Sequence, residues 1–201
     1  MKKTLLFLIS LAIGISVSAQ STLDHNFNNS LNEVNTAAPG LTVLGTQGNF
    51  VTDTLNEIAG SNKTVYRFER NNGLQFNNVA AGNFLGETYT IELYFVFDEL
   101  SSWKRVVDWK NRKTDRGAYV YYGQLNFYPI LYSGEAPVEA GEYTYYVNTR
   151  NAATKNVLIY TDADVKINFT DSNDDAVIDE DGVLNFFYDD LAVTKPCGQS
   201  L

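Results

Sequence analysis

Residues 88–128 read TYTIELYFVFDELSSWKRVVDWKNRKTDRGAYVYYGQLNFY, and this stretch decides the fold class. In its first part Tyr89 and Ile91 fall on one side of an extended chain, and Thr90 and Glu92 fall on the other. Such alternation with a period of two predicts a half-buried β-strand. The aromatic runs that follow are separated by short polar turns, which predicts consecutive antiparallel strands.

Short runs of this kind recur along the chain, separated by turn signals such as Asn71-Asn72-Gly73 and Asp181-Gly182. No window after residue 20 keeps a helical period for three turns. The sequence therefore predicts an all-β protein, a two-sheet antiparallel sandwich of the jelly-roll type. The predicted strands are Leu41–Leu44, Thr64–Phe68, Leu74–Phe76, Tyr89–Phe97, Arg105–Trp109, Ala118–Tyr122, Leu125–Tyr128, Tyr143–Thr149, Val157–Tyr160, Val165–Phe169 and Val183–Tyr188.

The first 19 residues have the features of a secretory signal peptide. Lys2 and Lys3 precede an apolar run over residues 5–15, and Val17-Ser18-Ala19 resembles a small-residue cleavage site. The apolar run is shorter than the roughly 20 residues that a helix needs to cross a bilayer. We therefore expect residues 1–19 to be removed and the remainder to be secreted, to the periplasm or to the cell surface, without membrane insertion.

The exported chain is acidic and carries one cysteine. Without Lys2 and Lys3, 13 of the 15 basic residues remain against 24 acidic ones, so the formal net charge changes from −9 to −11. This charge disfavours binding to nucleic acid. Because Cys197 is the only cysteine, no internal disulfide can form. We expect one domain over residues 20–193 and a short tail over residues 194–201.

Several segments resemble laminin-G-like modules of the concanavalin A-like lectin/glucanase superfamily. They are RVVDWKN at 105–111, DRGAYV at 115–120, GQLNFY at 123–128, FNNSL at 27–31 and LNFFYDD at 184–190. The resemblance covers most of residues 23–193. It implies two curved antiparallel sheets and binding of sugars or proteins, often with calcium.

The chain departs from the family pattern at its C-terminal end. Family members usually continue from the late strand into a glycine turn and a final apolar strand, whereas residues 194–201 read TKPCGQSL. Two interpretations stay open: the chain is a truncated or frame-shifted copy, or the final strand is missing and one sheet edge is open. An open edge predicts self-association, through a strand near Leu23–Phe27.

Aromatic residues of the central strands are the first candidates for ligand binding. Flat rings stack on the apolar faces of sugars, and tyrosine hydroxyls form hydrogen bonds with them. In a strand Tyr119 and Tyr121 share one face, so Tyr122 is expected to point the other way. The same rings also fit an ordinary half-buried sheet. The candidate ligand-binding residues are Trp103, Arg105, Trp109, Tyr119, Tyr121 and Tyr128.

Two clusters of opposite charge are further candidates, with ordinary solvated charges as the alternative for each. Guanidinium groups match planar anions such as uronates and sulfates. The basic cluster comprises Lys104, Arg105, Lys110, Arg112, Lys113 and Arg116. The acidic cluster comprises Asp162, Asp164, Asp171, Asp174, Asp175, Asp179, Glu180, Asp181, Asp189 and Asp190.

The acidic cluster raises the question of calcium, which takes six to eight oxygen ligands. Residues 171–175 begin like an EF-hand loop, but Ala176 stands in place of its glycine and Gly182 in place of its bidentate glutamate. Two interpretations stay open, a solvated acidic hairpin and a calcium site. The candidate calcium ligands are Asp171, Asn173, Asp175 and Asp179.

The sequence predicts no catalytic residues. Glu92 stands alone on its strand, although sandwich glucanases need paired carboxylates. We expect a secreted recognition module that binds a glycan or a cell-surface protein, with or without calcium. Two alternatives stay open, a structural or adhesive protein-interaction domain without sugar binding and a degenerate glycoside hydrolase or lyase. Exposed tyrosine and tryptophan on a concave sheet face would favour sugar binding.

Overall fold

The computed structural model describes residues 22–34, 38–55 and 61–188. This part of the chain contains thirteen strands and no helix, and hence none long and apolar enough to span a bilayer. The strands are β1 (Thr42–Leu44), β2 (Asn49–Leu55), β3 (Ser61–Arg67), β4 (Gly73–Asn77), β5 (Tyr89–Phe95), β6 (Trp103–Asp108), β7 (Gly117–Tyr121), β8 (Gln124–Tyr128), β9 (Leu131–Tyr132), β10 (Thr144–Asn151), β11 (Asn156–Thr161), β12 (Asp164–Thr170) and β13 (Val183–Phe186).

The strands form two antiparallel sheets and a separate β2–β3 hairpin. The larger sheet has seven strands in the order β1-β4-β13-β6-β7-β8-β9, and the smaller has four in the order β12-β11-β10-β5. Since β13 lies between β4 and β6, the larger sheet is built from strands that are distant in sequence. The predicted all-β, two-sheet antiparallel sandwich of the jelly-roll type is confirmed.

All eleven predicted strands occur, with ends displaced by no more than three residues. The sequence reading missed β2 and β9. The middle of β2 is Thr52-Asp53-Thr54, which gives no apolar alternation, and β9 has only two residues, too few to show a period. Neither strand therefore shows the apolar alternation that predicts the other strands.

The hydrophobic core lies between the two sheets, and the alternation along β5 predicts its contribution correctly. Tyr89, Ile91 and Phe95 are buried, whereas Thr90 and Glu92 are exposed. The largest buried side chain belongs to Trp109, which follows β6. Its ring centroid lies 6.3 Å from that of Tyr89 and 5.7 Å from that of Phe127. Trp109 therefore joins the two sheets.

The expected strand near Leu23–Phe27 is wrong. The segment has no strand pairing; its Phe27 has a φ of 54°, which an extended strand does not adopt. The side chains of Leu23 and Phe27 pack against the core instead. The predicted signal peptide, tail and missing final strand fall in residues outside the described ranges.

A buried ion pair fixes the loop that follows β12. The Arg150 guanidinium of β10 donates through Nε to Asp171 at 3.1 Å, and both side chains are fully buried. Asp171 also accepts the backbone N–H groups of Asp175 at 2.7 Å and Ala176 at 3.1 Å. The carbonyl of Ala176 accepts the Tyr89 hydroxyl at 2.7 Å, and burial raises the pKa of that hydroxyl. Arg150 therefore compensates the charge of the buried Asp171 carboxylate.

Replacing Trp109 with alanine should lower the free energy of unfolding by about 3–5 kcal/mol, because it leaves a cavity between the sheets. Trp103→Ala is the matched control, since Trp103 is only half-buried, and we expect it to cost clearly less. Urea denaturation of both variants checks this. Equal losses would contradict the central place of Trp109 in the core.

Replacing Arg150 with methionine should lower the free energy of unfolding by about 3–5 kcal/mol, because Asp171 would stay buried without its cation. Lys113→Met is the control, since Lys113 forms ion pairs on an exposed loop, and it should cost at most about 1 kcal/mol. Urea denaturation at neutral pH measures both. An Arg150→Met loss as small as that of the control would refute the importance of the buried pair.

Candidate functional site

An aromatic platform lies on the outer face of the larger sheet, the face turned away from the core. We define it by the rings of Trp103, Tyr121, Tyr122 and Tyr128, which come from β6, β7, the turn after β7, and β8. Trp103 stacks on Tyr121 with ring centroids 4.4 Å apart and planes at 27°. Tyr122 meets Tyr121 edge-on at 4.6 Å. Tyr128 meets Trp103 edge-on at 5.4 Å.

The strand register explains why these rings meet. Trp103 lies directly opposite Tyr121 in the β6–β7 pair, and such cross-strand neighbours on one face have side chains in contact. Tyr128 lies opposite Gly117 in the β7–β8 pair. Because Gly117 has no side chain, the Tyr128 ring has room to extend over β7 toward Trp103 on β6.

Two tyrosines of this region are exposed to solvent, one in the platform and one beside it. Tyr122 is 59% exposed, and Tyr132 of the edge strand β9 is 46% exposed. Tyr122 occupies the turn with a φ of 48°, so its ring folds against Tyr121. The expectation that Tyr122 points away from Tyr121 is therefore wrong, because strand alternation ends at Tyr121.

Beneath the platform lies a buried polar layer. The Arg105 guanidinium donates a hydrogen bond to the Tyr119 hydroxyl, which in turn donates to Asp115 at 3.0 Å. Arg105 also pairs with Asp108 at 3.2 Å and with Asp115 at 3.5 Å. Trp103 covers Tyr119 edge-on, with centroids 5.6 Å apart. The positive charge of Arg105 is thus matched by the buried Asp108 carboxylate and the partly exposed Asp115 carboxylate.

The polar layer continues across the larger sheet, where a loop covers it. Asp108 accepts Asn185 Nδ2 at 3.1 Å, and Asn185 Oδ1 accepts Gln75 Nε2 at 2.9 Å. The backbone N–H groups of Lys110 and Arg112 also donate to Asp108, at 2.9 and 2.7 Å. The aromatic platform is therefore the accessible end of this face.

One amide in the layer keeps an acceptor without a hydrogen-bond partner among the described residues. Asn126 of β8 is 1% exposed and lies between Tyr119 and Tyr132 in the strand register. Its Nδ2 donates to the Gln124 carbonyl at 2.8 Å, whereas its Oδ1 forms no hydrogen bond. A buried unpaired acceptor is costly unless a donor reaches it.

The basic cluster is directed at the protein's own acidic groups. Lys113 Nζ lies 2.8 Å from Asp181 and 3.2 Å from Asp179, and the hydrogen bonds to Lys113 and Asn111 hold the pKa of Asp181 below its ordinary value. Arg116 pairs with Asp175 at 2.5 Å. Lys113 and Arg116 of the basic cluster therefore neutralise Asp175, Asp179 and Asp181 of the acidic cluster.

Other cations of the basic cluster are engaged as well. Lys104 pairs with Glu99 at 2.7 Å. Lys110 donates to the carbonyls of Asp174 and Val177, both at 2.8 Å. The Arg112 guanidinium lies over the Tyr188 ring, 4.9 Å from its centroid. These contacts engage Lys104, Lys110 and Arg112 within the protein itself.

The candidate calcium ligands do not form a fitting donor set. Asp171 is bound by Arg150, Asp175 by Arg116 and Asp179 by Lys113, while Asn173 is exposed. Within the described ranges no three acidic, histidine or cysteine residues are arranged to hold a metal ion. A cation there would have to displace basic side chains. Calcium binding stays a prediction without support from this geometry.

A small pocket lies where the β2–β3 hairpin meets the segment before β10. It has a volume of about 150 Å³ and is lined by Asp53, Thr54, Val96, Asp98, Gly141, Glu142 and Tyr143. Ligand pockets usually measure about 300–1,000 Å³. Asp53 accepts the Tyr143 hydroxyl at 2.9 Å and Asp98 pairs with Arg67 at 2.6 Å. The aromatic platform is therefore the stronger candidate.

The predicted ligand-binding residues divide between surface, layer and core. Trp103, Tyr121 and Tyr128 contribute to the platform, and Arg105 and Tyr119 form the buried layer below it. Trp109 is buried in the core, so it cannot contact a surface ligand. A β-bulge between Arg105 and Val107 explains this, because the extra residue reverses which side chains face outward. The candidate ligand-binding residues do not include Tyr122, Tyr132 and Asn126, although Asn126 lies in the segment GQLNFY at 123–128.

The chain matches no protein-family model and no curated protein sequence. It is similar in structure to domain 4 of AbnA, a GH43 extracellular arabinanase from Geobacillus stearothermophilus, in complex with arabinotriose. The TM-score is 0.60 and the identity 13%, covering 89% of this chain and 88% of that chain. A structure of botulinum neurotoxin type C, whose cell entry depends on interaction with two ganglioside molecules, gives a TM-score of 0.46 at 13% identity, over 85% of this chain and 45% of that chain. The arabinanase domain shows that the β-sandwich fold is shared, and the laminin-G-like assignment stays a prediction.

Proposed function

We propose that this protein is a non-catalytic carbohydrate-binding module that holds a glycan on its aromatic platform. The observation that carries the proposal is the continuous ring cluster formed by Trp103, Tyr121, Tyr122 and Tyr128 on one sheet face. Tyrosine and tryptophan rings on one sheet face favour sugar binding over a purely structural role. Tyr122 is exposed on this face, and Trp103, Tyr121 and Tyr128 are half-buried there.

The platform suits a sugar for two physical reasons. A pyranose or furanose ring has an apolar C–H face, which gains from contact with a flat aromatic ring, while tyrosine hydroxyls accept or donate hydrogen bonds at the edge. The rings also support one another, since Trp103 is stacked on Tyr121 and braced by Tyr128. A preordered surface loses little side-chain entropy when a ligand binds.

The comparison adds support of a coarser kind. The domain of the arabinanase with a similar fold was determined in complex with arabinotriose. Our proposal extends carbohydrate binding, without the identity of the sugar, to this chain. The predicted signal peptide fits the proposal, because it would deliver the protein to the extracytoplasmic side, where polysaccharides are found.

A second candidate function is binding to a cell-surface protein through the smaller sheet. Val147 lies opposite Tyr160 in the β10–β11 pair, and Tyr160 lies opposite Val165 in the β11–β12 pair. Val165 is exposed and its two neighbours are half-buried, so the outer face of this sheet presents an apolar row. Apolar rows of this kind favour contact with another protein surface.

Trp103→Ala and Tyr122→Ala should each weaken glycan binding at least about tenfold, equivalent to about 1.4 kcal/mol, because each removes a ring from the platform. The measurement is retention of residues 20–201 on a panel of insoluble arabinan, xylan, glucan and chitin. Tyr145→Ala is the matched control, since Tyr145 is 38% exposed on the smaller sheet. Its binding should equal that of the unmodified protein.

Thermal unfolding shows which variants remain folded, and the exposed Tyr122 provides a test even where Trp103→Ala is unstable. Loss of binding in Tyr145→Ala alone would move the site to the smaller sheet. A folded protein that none of these matrices retains would overturn the carbohydrate proposal and favour the protein-binding alternative.

Retention should be the same in millimolar calcium and in excess chelator, because Asp171, Asp175 and Asp179 are already bound by basic side chains. The same panel measures this. A loss of retention in chelator, restored by added calcium, would instead support the calcium-dependent form of the function and would require these ion pairs to open.

A further inference from the structure

The charges around the aromatic platform limit which glycans it can take. Along the outer face of β6–β9 the charged strand residues are Arg105 and Asp108, and both are buried. Arg105 faces Asp108 at 3.2 Å and Asp115 at 3.5 Å, and it donates to the Tyr119 hydroxyl. The guanidinium is therefore charge-compensated inside the protein and covered by the rings above it.

Two of the loop cations near this face are also compensated. Lys113 and Arg116, which could otherwise clamp a uronate or sulfate, pair with Asp181 and Asp175 at 2.8 and 2.5 Å. An anionic sugar would have to break these pairs and compete with carboxylates on the same chain. Each exchange replaces one ion pair by another, so it offers little net gain.

Long-range electrostatics act in the same direction. The formal net charge of the chain is −9, and the Asp115 carboxylate, which is 38% exposed, lies beside Tyr119 under the platform. A surface of this sign lowers the rate at which polyanions approach, most strongly at low ionic strength.

Hydrogen bonding gives an independent indication. The Asn126 Oδ1 acceptor lies on this face, almost fully buried and without a partner among the described groups. An acceptor needs a donor, which a sugar hydroxyl provides; a carboxylate or sulfate that takes the place of one of those hydroxyls removes a donor. Tyr132, the residue opposite Asn126 in the register, is the exposed ring next to this amide.

From these observations we infer that the platform selects neutral, hydroxyl-rich glycans and discriminates against uronate-containing and sulfated ones. The inference rests on the proposed carbohydrate-binding function and specifies its ligand class. Stacking and hydroxyl hydrogen bonds then supply the affinity, and binding is insensitive to salt.

The test compares polysaccharides that share a backbone and differ in charge. Suitable pairs are hydroxyethylcellulose with carboxymethylcellulose, xylan with pentosan polysulfate, and methyl-esterified pectin with polygalacturonate. Affinity electrophoresis of residues 20–201 at low and high salt measures retardation by each polymer. We expect the neutral member of at least one pair to bind about tenfold more tightly than its charged partner, with no weakening by salt.

A charged member that binds more tightly than its neutral partner, with retardation that falls as salt rises, would overturn the inference and leave carbohydrate binding intact. Lys113→Ala provides a second readout, since it removes an exposed cation outside the platform. Its retardation by every polymer should be unchanged, and reduced retardation by charged polymers would assign anion binding to the basic cluster. A folded protein that no polymer retards would overturn both the inference and the proposed function.

Discussion

The position of the loop that follows β12 depends on the buried ion pair between Arg150 and Asp171. Asp171 holds the following turn through two backbone N–H groups, and that turn offers its carbonyls to Lys110. The backbone of Lys110 then binds Asp108, and Asp108 pairs with Arg105 below the aromatic rings. A continuous series of named contacts thus runs from the smaller sheet to the platform. With a single cysteine in the chain, no internal disulfide can supply this link, and such contacts supply it instead.

The alternation of apolar and polar residues predicts most of the fold. Where this prediction fails, the cause is a local irregularity of the strand. Along β5 every second side chain points into the core as the sequence predicts, because one face of the sheet packs against the core. At β6 the same rule holds for Trp103 and Arg105 and then fails at Trp109, since the bulge adds one residue and reverses the faces. The sequence Arg-Val-Val at residues 105–107 does not distinguish a bulged strand from a regular one.

The candidate site shows a different limit of sequence reasoning. The basic and acidic clusters were each recognisable, but Lys113 and Asp181 are 68 positions apart, and only the folded chain shows that they bind each other. The sequence therefore suggests two separate ligand sites, whereas in the structure several residues of the two clusters bind each other. The aromatic platform was predictable in part because Trp103 and Tyr121 fall in adjacent strands. Tyr132 was not, since its strand is too short to give a pattern.

The two tryptophans of the chain occupy opposite environments, and this division has a spectroscopic consequence. Trp109 is sealed between the sheets, whereas Trp103 is half-buried and forms part of the platform. The emission of an indole ring shifts with the polarity and rigidity of its surroundings. Ligand contact at the platform would change the fluorescence of Trp103 and leave that of Trp109 unchanged, whereas unfolding would change both. The two processes can therefore be told apart by intrinsic fluorescence, without an attached dye.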